Sequence, residues 1–358
     1  MSSFKLIIVG IVVSGVMVGE VWFNSDKPLR DHDDITWQYF LFDNNLKKLT
    51  SGDWGNLFQA RMFYPRQNTL AFGNSLLGQS LLALPVYLVT RDVVTAANSV
   101  IVINLVMAFG AMYLLAYRLT RSMGGSLIAG MIYTYNPYVM VHLHHEQLAL
   151  QWLPLLFLVR KSWLWVGVGL MLLLSSFYYT LFAAVTIPMY MWLIRKPIKI
   201  WPVVVVAVVG WVYLQPFAQV KREYQVRWPV SLVKLLSAKP QDFLFTGPEN
   251  WLYGRFNQSW WRDEFAREHP TEHSLFPGIV AVVLAGVAIV RRRGRVWWLL
   301  LGMSLVFAMG LMADVYGALS VRAVSRWMVV GFLALGILAA YGWEEVSEKL
   351  KVKNEKLK

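Results

Sequence analysis

The feature that most limits the fold of this chain is the grouping of its apolar residues into blocks, with the charged residues confined between the blocks. Hydrophobic residues make up 57% of the chain and charged residues only 15%, whereas a soluble domain carries roughly a quarter charged residues. Several blocks approach the ~20 apolar residues with which an α-helix crosses a bilayer. The pattern predicts an all-α polytopic membrane protein with ten spans, at about 6–23, 98–117, 124–140, 148–159, 163–176, 177–194, 201–216, 274–290, 296–313 and 327–343.

The distribution of Lys and Arg predicts the orientation of these spans, because cytoplasmic loops carry the excess of basic residues. Segment 72–90 is apolar but is interrupted by Gly, Asn, Gln and Pro. If it is re-entrant or interfacial, one membrane face carries 17 basic and four acidic residues, and the whole net charge of +13 lies there. We therefore predict both termini in the cytoplasm, a retained first span, and loops 24–71 and 217–273 on the outer face of the cell membrane.

Composition also excludes several kinds of chemistry. The chain contains no Cys, which rules out disulfides, thiol catalysis and thiolate metal sites. No Gly-rich phosphate loop, HExxH or GxSxG motif occurs. The basic residues are dispersed over many loops, so the positive charge indicates membrane orientation and anionic lipid headgroups, not nucleic acid.

An acidic cluster directly after the first span is the first candidate for a site. Asp31, Asp33 and Asp34 lie within a few residues of the predicted membrane face. In a helix that starts near Asp34, Gln38 lies one turn further on the same side. The alternative is a solvated turn or a helix cap without catalytic function.

Three further polar groups share the predicted outer face, and each has a structural alternative. The segment 142–147 is rich in His and lies between two apolar blocks, where such residues are expensive and indicate function. It could hold a metal, although its tight spacing cannot place every ring on one ion. Glu272, in segment 268–273, could serve only the dipole of the next helix, and Arg322 and Arg326 could extend to lipid headgroups.

Together these groups are typical of sugar transfer from a lipid carrier. A carboxylate would deprotonate the acceptor hydroxyl and cations would hold the departing phosphate. Asp34 is the expected base, supported by Asp33, Gln38, His144, Glu146 and Glu272. Arg322 and Arg326 are expected to bind the donor phosphate, and Trp37 and Trp260 to stack on sugar rings, although interfacial Trp often has no such function. We assign no metal ligands and no cofactor; assistance by a divalent metal stays open.

Motifs over nearly the whole chain resemble those of the multi-pass membrane glycosyltransferases of the GT-C superfamily, in the mostly uncharacterised bacterial branch akin to the YfhO-like enzymes. The resemblance starts with an Asp-x-x-x-Gln motif after the first span, Asp34 to Gln38. It ends with Arg322 and Arg326 before a final helix. Between them lie Phe63-Tyr64-Pro65, Asn68 to Phe72, Leu82 to Pro85, Ala116 to Thr120, Tyr135-Asn136-Pro137 before His144, and Gln151 to Leu155.

The resemblance implies a GT-C-like bundle with interfacial helices in the first outer loop and an inverting transfer from a polyprenyl-phosphate-linked sugar to an envelope glycan, lipid or protein. It places the catalytic Asp at Asp34 and a second polar group at His144 to Glu146. The chain departs from the pattern at Val324, where Pro is usual. Many relatives continue into a large C-terminal outer domain that this chain is expected to lack, so loop 217–273 or a partner protein would recognise the acceptor.

These expectations divide the chain into four parts: a GT-C-like transmembrane module over 1–216 with the outer catalytic loop 24–71, an outer loop over 217–273, C-terminal transmembrane helices over 274–343, and a basic cytoplasmic tail over 344–358. Two other functions stay open: a transporter or flippase, and a non-catalytic protein that binds polyprenyl lipid. A transporter would be expected to carry charges in mid-span, and no inverted repeat is visible.

Overall fold

A computed structural model describes residues 3–17, 19, 21, 26–27, 33–143, 150–225, 227–247, 250, 252–255, 270–319 and 321–356. Over these residues the chain is helical and forms no β-strand, as the sequence predicts. The α-helices are α1 (Ser3–Met17), α2 (Asp33–Ser51), α3 (Leu77–Thr90), α4 (Val93–Thr120), α5 (Met123–Thr134), α6 (Pro137–Val141), α7 (Trp152–Leu158), α8 (Ser162–Ser175), α9 (Phe177–Leu193), α10 (Ile200–Tyr224), α11 (Val230–Leu235), α12 (Ile279–Val290), α13 (Arg295–Ala308), α14 (Ala313–Ala318) and α15 (Met328–Lys356).

Three helical segments in the described part of the chain are long and apolar enough to cross a membrane: Val93–Thr120, Ile200–Tyr224 and Val324–Leu350. Five further apolar helices, α3, α8, α9, α12 and α13, have 12–17 residues. At ~1.5 Å per residue these helices reach roughly 18–26 Å, which is less than the ~30 Å of a hydrocarbon core. The described part of the chain is therefore helical, with three candidate membrane-spanning helices, and the ten spans stay a prediction.

One compact unit consists of the described residues of Met1–Met107, Leu143–Ala184 and Pro197–Val226. Within it, α2 buries one face at intervals of three and four residues, the spacing of an amphipathic helix: Ile35, Gln38, Leu41, Phe42, Asn45 and Leu46. The Asn45 amide donates to the Ser75 carbonyl at 2.7 Å and to the Ser80 hydroxyl at 3.0 Å. These hydrogen bonds satisfy a buried polar side chain and join α2 to the start of α3.

The second unit consists of the described residues of Ala108–His142, Val185–Lys196 and Arg227–Lys358. Its centre is the last apolar segment, Val324–Leu350, whose most apolar window is 94% buried. Glycines allow neighbouring helices to approach this segment closely, as is common between membrane helices. A Cβ added at Gly125 of α5 would lie 2.7 Å from the Ala340 carbonyl, and any side chain at Gly342 would overlap the Leu284 carbonyl of α12.

Candidate functional site

Asp34 lies in the first turn of α2, with its side chain at the protein surface. The helix begins at Asp33, close to the start that the acidic cluster predicts. Gln38 follows one turn later but faces the interior, with only 6% of its surface exposed. The two residues of the Asp-x-x-x-Gln motif are therefore neighbours along the helix, with the carboxylate at the surface and the amide in the core.

An open surface pocket of about 350 Å³ lies next to this turn. It is lined by Thr36, Trp37, Phe40, Arg61 and Met62. The rings of Trp37 and Phe40 stack with their centroids 5.7 Å apart. An aromatic surface and a guanidinium thus line one pocket, and the carboxylate of Asp34 belongs to the helix that supplies Trp37 and Phe40. Aromatic rings can stack on sugars, and a guanidinium can bind a phosphate.

Arg61 is the part of this pocket that sequence reasoning missed. It lies two residues before the motif Phe63-Tyr64-Pro65 and is not part of that motif. Its chemical signal in the sequence is weak, because a single exposed Arg in an outer loop is common. Its position beside Trp37 results from the packing of this loop against α2.

Glu272 is the centre of a buried polar cluster in the second unit. Its Oε1 accepts hydrogen bonds from Arg326 Nη2 at 2.6 Å and Nε at 3.1 Å. Its Oε2 accepts from the hydroxyls of Tyr138 at 2.9 Å and Ser325 at 3.0 Å. His142 Nε2 lies 3.5 Å from Oε1. Sequence reasoning had selected Glu272 and Arg326 but neither Tyr138 nor Ser325, whose hydroxyls complete the carboxylate's contacts.

Electrostatics keep this carboxyl group ionised. Burial by itself would raise the pKa of Glu272, but Arg326, followed by His142, holds that pKa well below its ordinary value of 4.5. Arg326 is itself only 5% exposed, and its guanidinium contacts Glu272 through two nitrogens. Binding of an external phosphate by Arg326 would therefore require this ion pair to open.

Arg322 has a different environment from Arg326, although the two are one turn apart in sequence. It is exposed, and its guanidinium lies 5.0 Å from the ring centroid of Trp228. The structure therefore does not bring the two arginines together as one clamp. Arg322 could meet a ligand from solvent, whereas Arg326 is enclosed with Glu272.

A second buried pair lies beside the Glu272 cluster. His273 Nδ1 is 2.8 Å from Asp242 Oδ2, and the same oxygen accepts the Lys239 amide at 2.7 Å. The Leu275 amide donates to the Asp242 carbonyl at 3.2 Å. These contacts tie segment 239–245 to the residues before α12. Their role is to position the chain, since both side chains are enclosed.

Several residues selected from the sequence lie outside the described residues: Asp31, His144, Glu146 and Trp260, together with the side chain of Asp33. Within the described ranges, no group of three or more His, Asp or Glu side chains could hold a metal ion.

Comparison with known proteins adds no relative from which a role could be transferred. No protein-family model matches the chain, and neither the curated proteins nor the solved structures include a significant match.

Proposed function

We propose that this protein is an inverting glycosyltransferase of the GT-C type, which moves a sugar from a polyprenyl-phosphate donor to a cell-envelope acceptor, with Asp34 as the general base. One observation carries the proposal: the exposed carboxylate of Asp34 lies one helical turn before Trp37, whose ring lines the pocket that also contains Phe40 and Arg61. The residues needed for proton removal, sugar stacking and phosphate binding thus occur together.

The reaction would use these residues as follows. Asp34 accepts the proton of the acceptor hydroxyl, and the acceptor oxygen forms a bond to the anomeric carbon. The bond between that carbon and the phosphate oxygen breaks, and polyprenyl phosphate leaves with the electron pair. Arg61 offsets the negative charge on the leaving phosphate. Trp37 supports the sugar ring through its apolar face.

Residues of the second unit have other roles in this proposal. Arg322, exposed beside Trp228, is accessible to a phosphate group from solvent, the role that the sequence predicts for it. Glu272 and Arg326 hold together the two segments of the second unit that carry them, because their charges are enclosed and paired with each other. The acceptor would be recognised by loop 217–273 or by a partner protein.

Location in the membrane belongs to the same proposal. Ten spans with both termini in the cytoplasm would place the net charge of +13 on the cytoplasmic face and Asp34 outside. Polyprenyl-linked donors supply activated sugars on that outer face. A transferase that uses such donors needs no nucleotide-binding motif, and this sequence contains none.

The substitution Asp34→Asn tests the assignment of the base. Purified protein in nanodiscs is supplied with a polyprenyl-phosphate-linked sugar and a membrane extract as acceptor, and release of polyprenyl phosphate is measured. We expect a loss of at least ~100-fold in the rate, the usual contribution of a general base. Asp43→Asn is the matched control, because Asp43 lies on the same helix and pairs with Lys47 at the surface.

The result separates the open functions. Wild-type rates in Asp34→Asn would refute the assignment of Asp34. Retention of polyprenyl phosphate, detected by native mass spectrometry, without any transfer by the wild-type protein would instead support a non-catalytic or flippase-type lipid-binding protein.

A further inference from the structure

The loop of residues 54–67, here called the aromatic loop, packs against the C-terminal end of α10 within the first unit. Phe58 contacts the rings of Tyr213 and Phe217, each with a centroid distance of 5.6 Å. Directly after the loop, the Asn68 amide donates to Gln219 at 3.1 Å. The height of the loop along α10 is therefore defined by residues 213–219.

That part of α10 is where its apolar surface ends. The helix is a candidate membrane span, and only 11% of its most apolar window is buried by the protein. Val208, Trp211 and Val212 present exposed side chains, as expected of a surface that faces lipid. From Gln215 onward the sequence becomes polar and reaches Lys221-Arg222-Glu223. At ~1.5 Å per residue, the change from hydrocarbon to water occupies the last few turns of the helix.

The aromatic loop itself exposes rings that a water-facing loop would not need. Tyr64 is 96% exposed, Trp54 69% and Phe63 51%. Phe63 also has a φ of 56°, a left-handed conformation that is rare for a bulky residue. Tyr and Trp favour the interface between hydrocarbon and headgroups, because their rings are amphipathic.

The charge of the loop is complementary to anionic lipid. Arg61 and Arg66 are exposed, and no acidic residue occurs between positions 54 and 67. The guanidinium of Arg66 lies 4.6 Å from the ring centroid of Tyr224 at the end of α10. This contact places a cation at the level where α10 leaves its apolar section.

We propose that the aromatic loop inserts Phe63 and Tyr64 into the headgroup layer of the membrane that α10 crosses, with Arg66 on an anionic lipid phosphate. The inference rests on packing, exposure and charge in the first unit and does not depend on sugar transfer. It describes a second way, besides spanning helices, in which this chain holds the membrane surface.

Because the natural chain contains no Cys, a single introduced cysteine can carry a spin label at a chosen position. Tyr64→Cys is the test position, since the nearly complete exposure of Tyr64 means that its replacement removes little packing. Val208→Cys supplies the lipid reference and Lys349→Cys the water reference. The accessibility of each label to oxygen and to a water-soluble nickel chelate is measured in nanodiscs of phosphatidylcholine, with and without phosphatidylglycerol.

We expect the Tyr64 label to lie between the two references and to move deeper when phosphatidylglycerol is present. Replacing Arg66 with Gln should remove this response to phosphatidylglycerol while leaving the Val208 label unchanged. Nickel accessibility at Tyr64 equal to that at Lys349 would overturn the insertion. A label depth at position 64 that is the same with and without phosphatidylglycerol would overturn the proposal that the loop binds anionic lipid. Spin–spin coupling between two chains through this label would show that a second copy covers the loop, and would also overturn the proposal.

Discussion

Arg326 and Glu272 form a buried ion pair in which Nη2 lies 2.6 Å from Oε1, although 54 residues separate the two in the chain. Both side chains are enclosed, and the hydroxyls of Tyr138 and Ser325 complete the contacts of the carboxylate. The pair connects the residues before α12 to the residues before α15. A structure that buries two opposite charges in this way depends on both of them.

Removal of one partner of this pair should lower the free energy of unfolding much more than removal of both. Glu272→Ala leaves the guanidinium of Arg326 buried without its counter-charge, and we expect a loss of about 3–5 kcal/mol in stability. The double variant with Arg326→Met should recover part of that loss. Thermal unfolding in detergent measures each variant. Lys47→Ala, which breaks an exposed pair with Asp43, is the control and should cost at most about 1 kcal/mol.

Acid should weaken the protein through Glu272. Because the folded-state pKa of Glu272 lies well below its ordinary value of 4.5, its ionised form contributes stability that is complete above about pH 4.5 and is lost as the pH falls toward the folded pKa. The groups that face the carboxylate are Arg326, His142, Tyr138 and Ser325. Glu272→Gln should therefore narrow the difference in melting temperature between pH 7 and pH 4. An unchanged difference would contradict this origin of the acid sensitivity.

Arg61 should matter for donor binding if the proposed function is correct. Arg61→Ala removes a charge-assisted contact with the donor phosphate, and we expect KM for the polyprenyl-linked donor to rise by roughly 10-fold or more. Arg61→Lys should recover part of the affinity, since the charge is kept but the planar geometry is lost. Arg160→Ala is the control, because Arg160 is also exposed but is predicted on the opposite membrane face. An equal effect of both alanine variants would exclude a specific role for Arg61.

Close helix approach at Gly342 should make this position intolerant of any side chain. Gly342→Ala would push its Cβ into the Leu284 carbonyl of α12. We expect a loss of about 1–3 kcal/mol, the usual effect of overpacking. Gly286→Ala on α12 is the matched control, because a Cβ there meets nothing within 4 Å. Equal melting temperatures for the two variants would contradict the close packing of α15 against α12 at Gly342.

Much of the local structure could be predicted from the sequence. The start of α2 near Asp34 follows from an acidic cluster before an amphipathic pattern, and the helical class follows from the spacing of apolar residues. Glu272 and Arg326 are candidate site residues from the sequence alone, because charged residues beside apolar blocks are energetically costly without a function or a partner. The ion pair between them could not be predicted, because it depends on how two segments 54 positions apart in the chain pack together.

The sequence predicts the same role for Arg322 and Arg326, whereas the structure gives them different environments. The turn Val324–Trp327 is a buried 3-10 helix, which directs Arg326 inward to Glu272 while Arg322 stays exposed beside Trp228. Conversely, the sequence around Arg61 gives no clear sign of a site residue. Its position beside Trp37 is visible only in the packed structure.

The apolar helices, and the basic residues between them, follow from the sequence alone, because hydrophobic periodicity and charge distribution act locally along the chain. Which polar groups meet depends on tertiary packing. It enclosed Glu272 with Arg326, turned Gln38 into the core, and left Asp34 at the surface one turn from Trp37. The physical reason is that burial and pairing of charges depend on the packing of distant segments, whose cost or benefit no single segment contains.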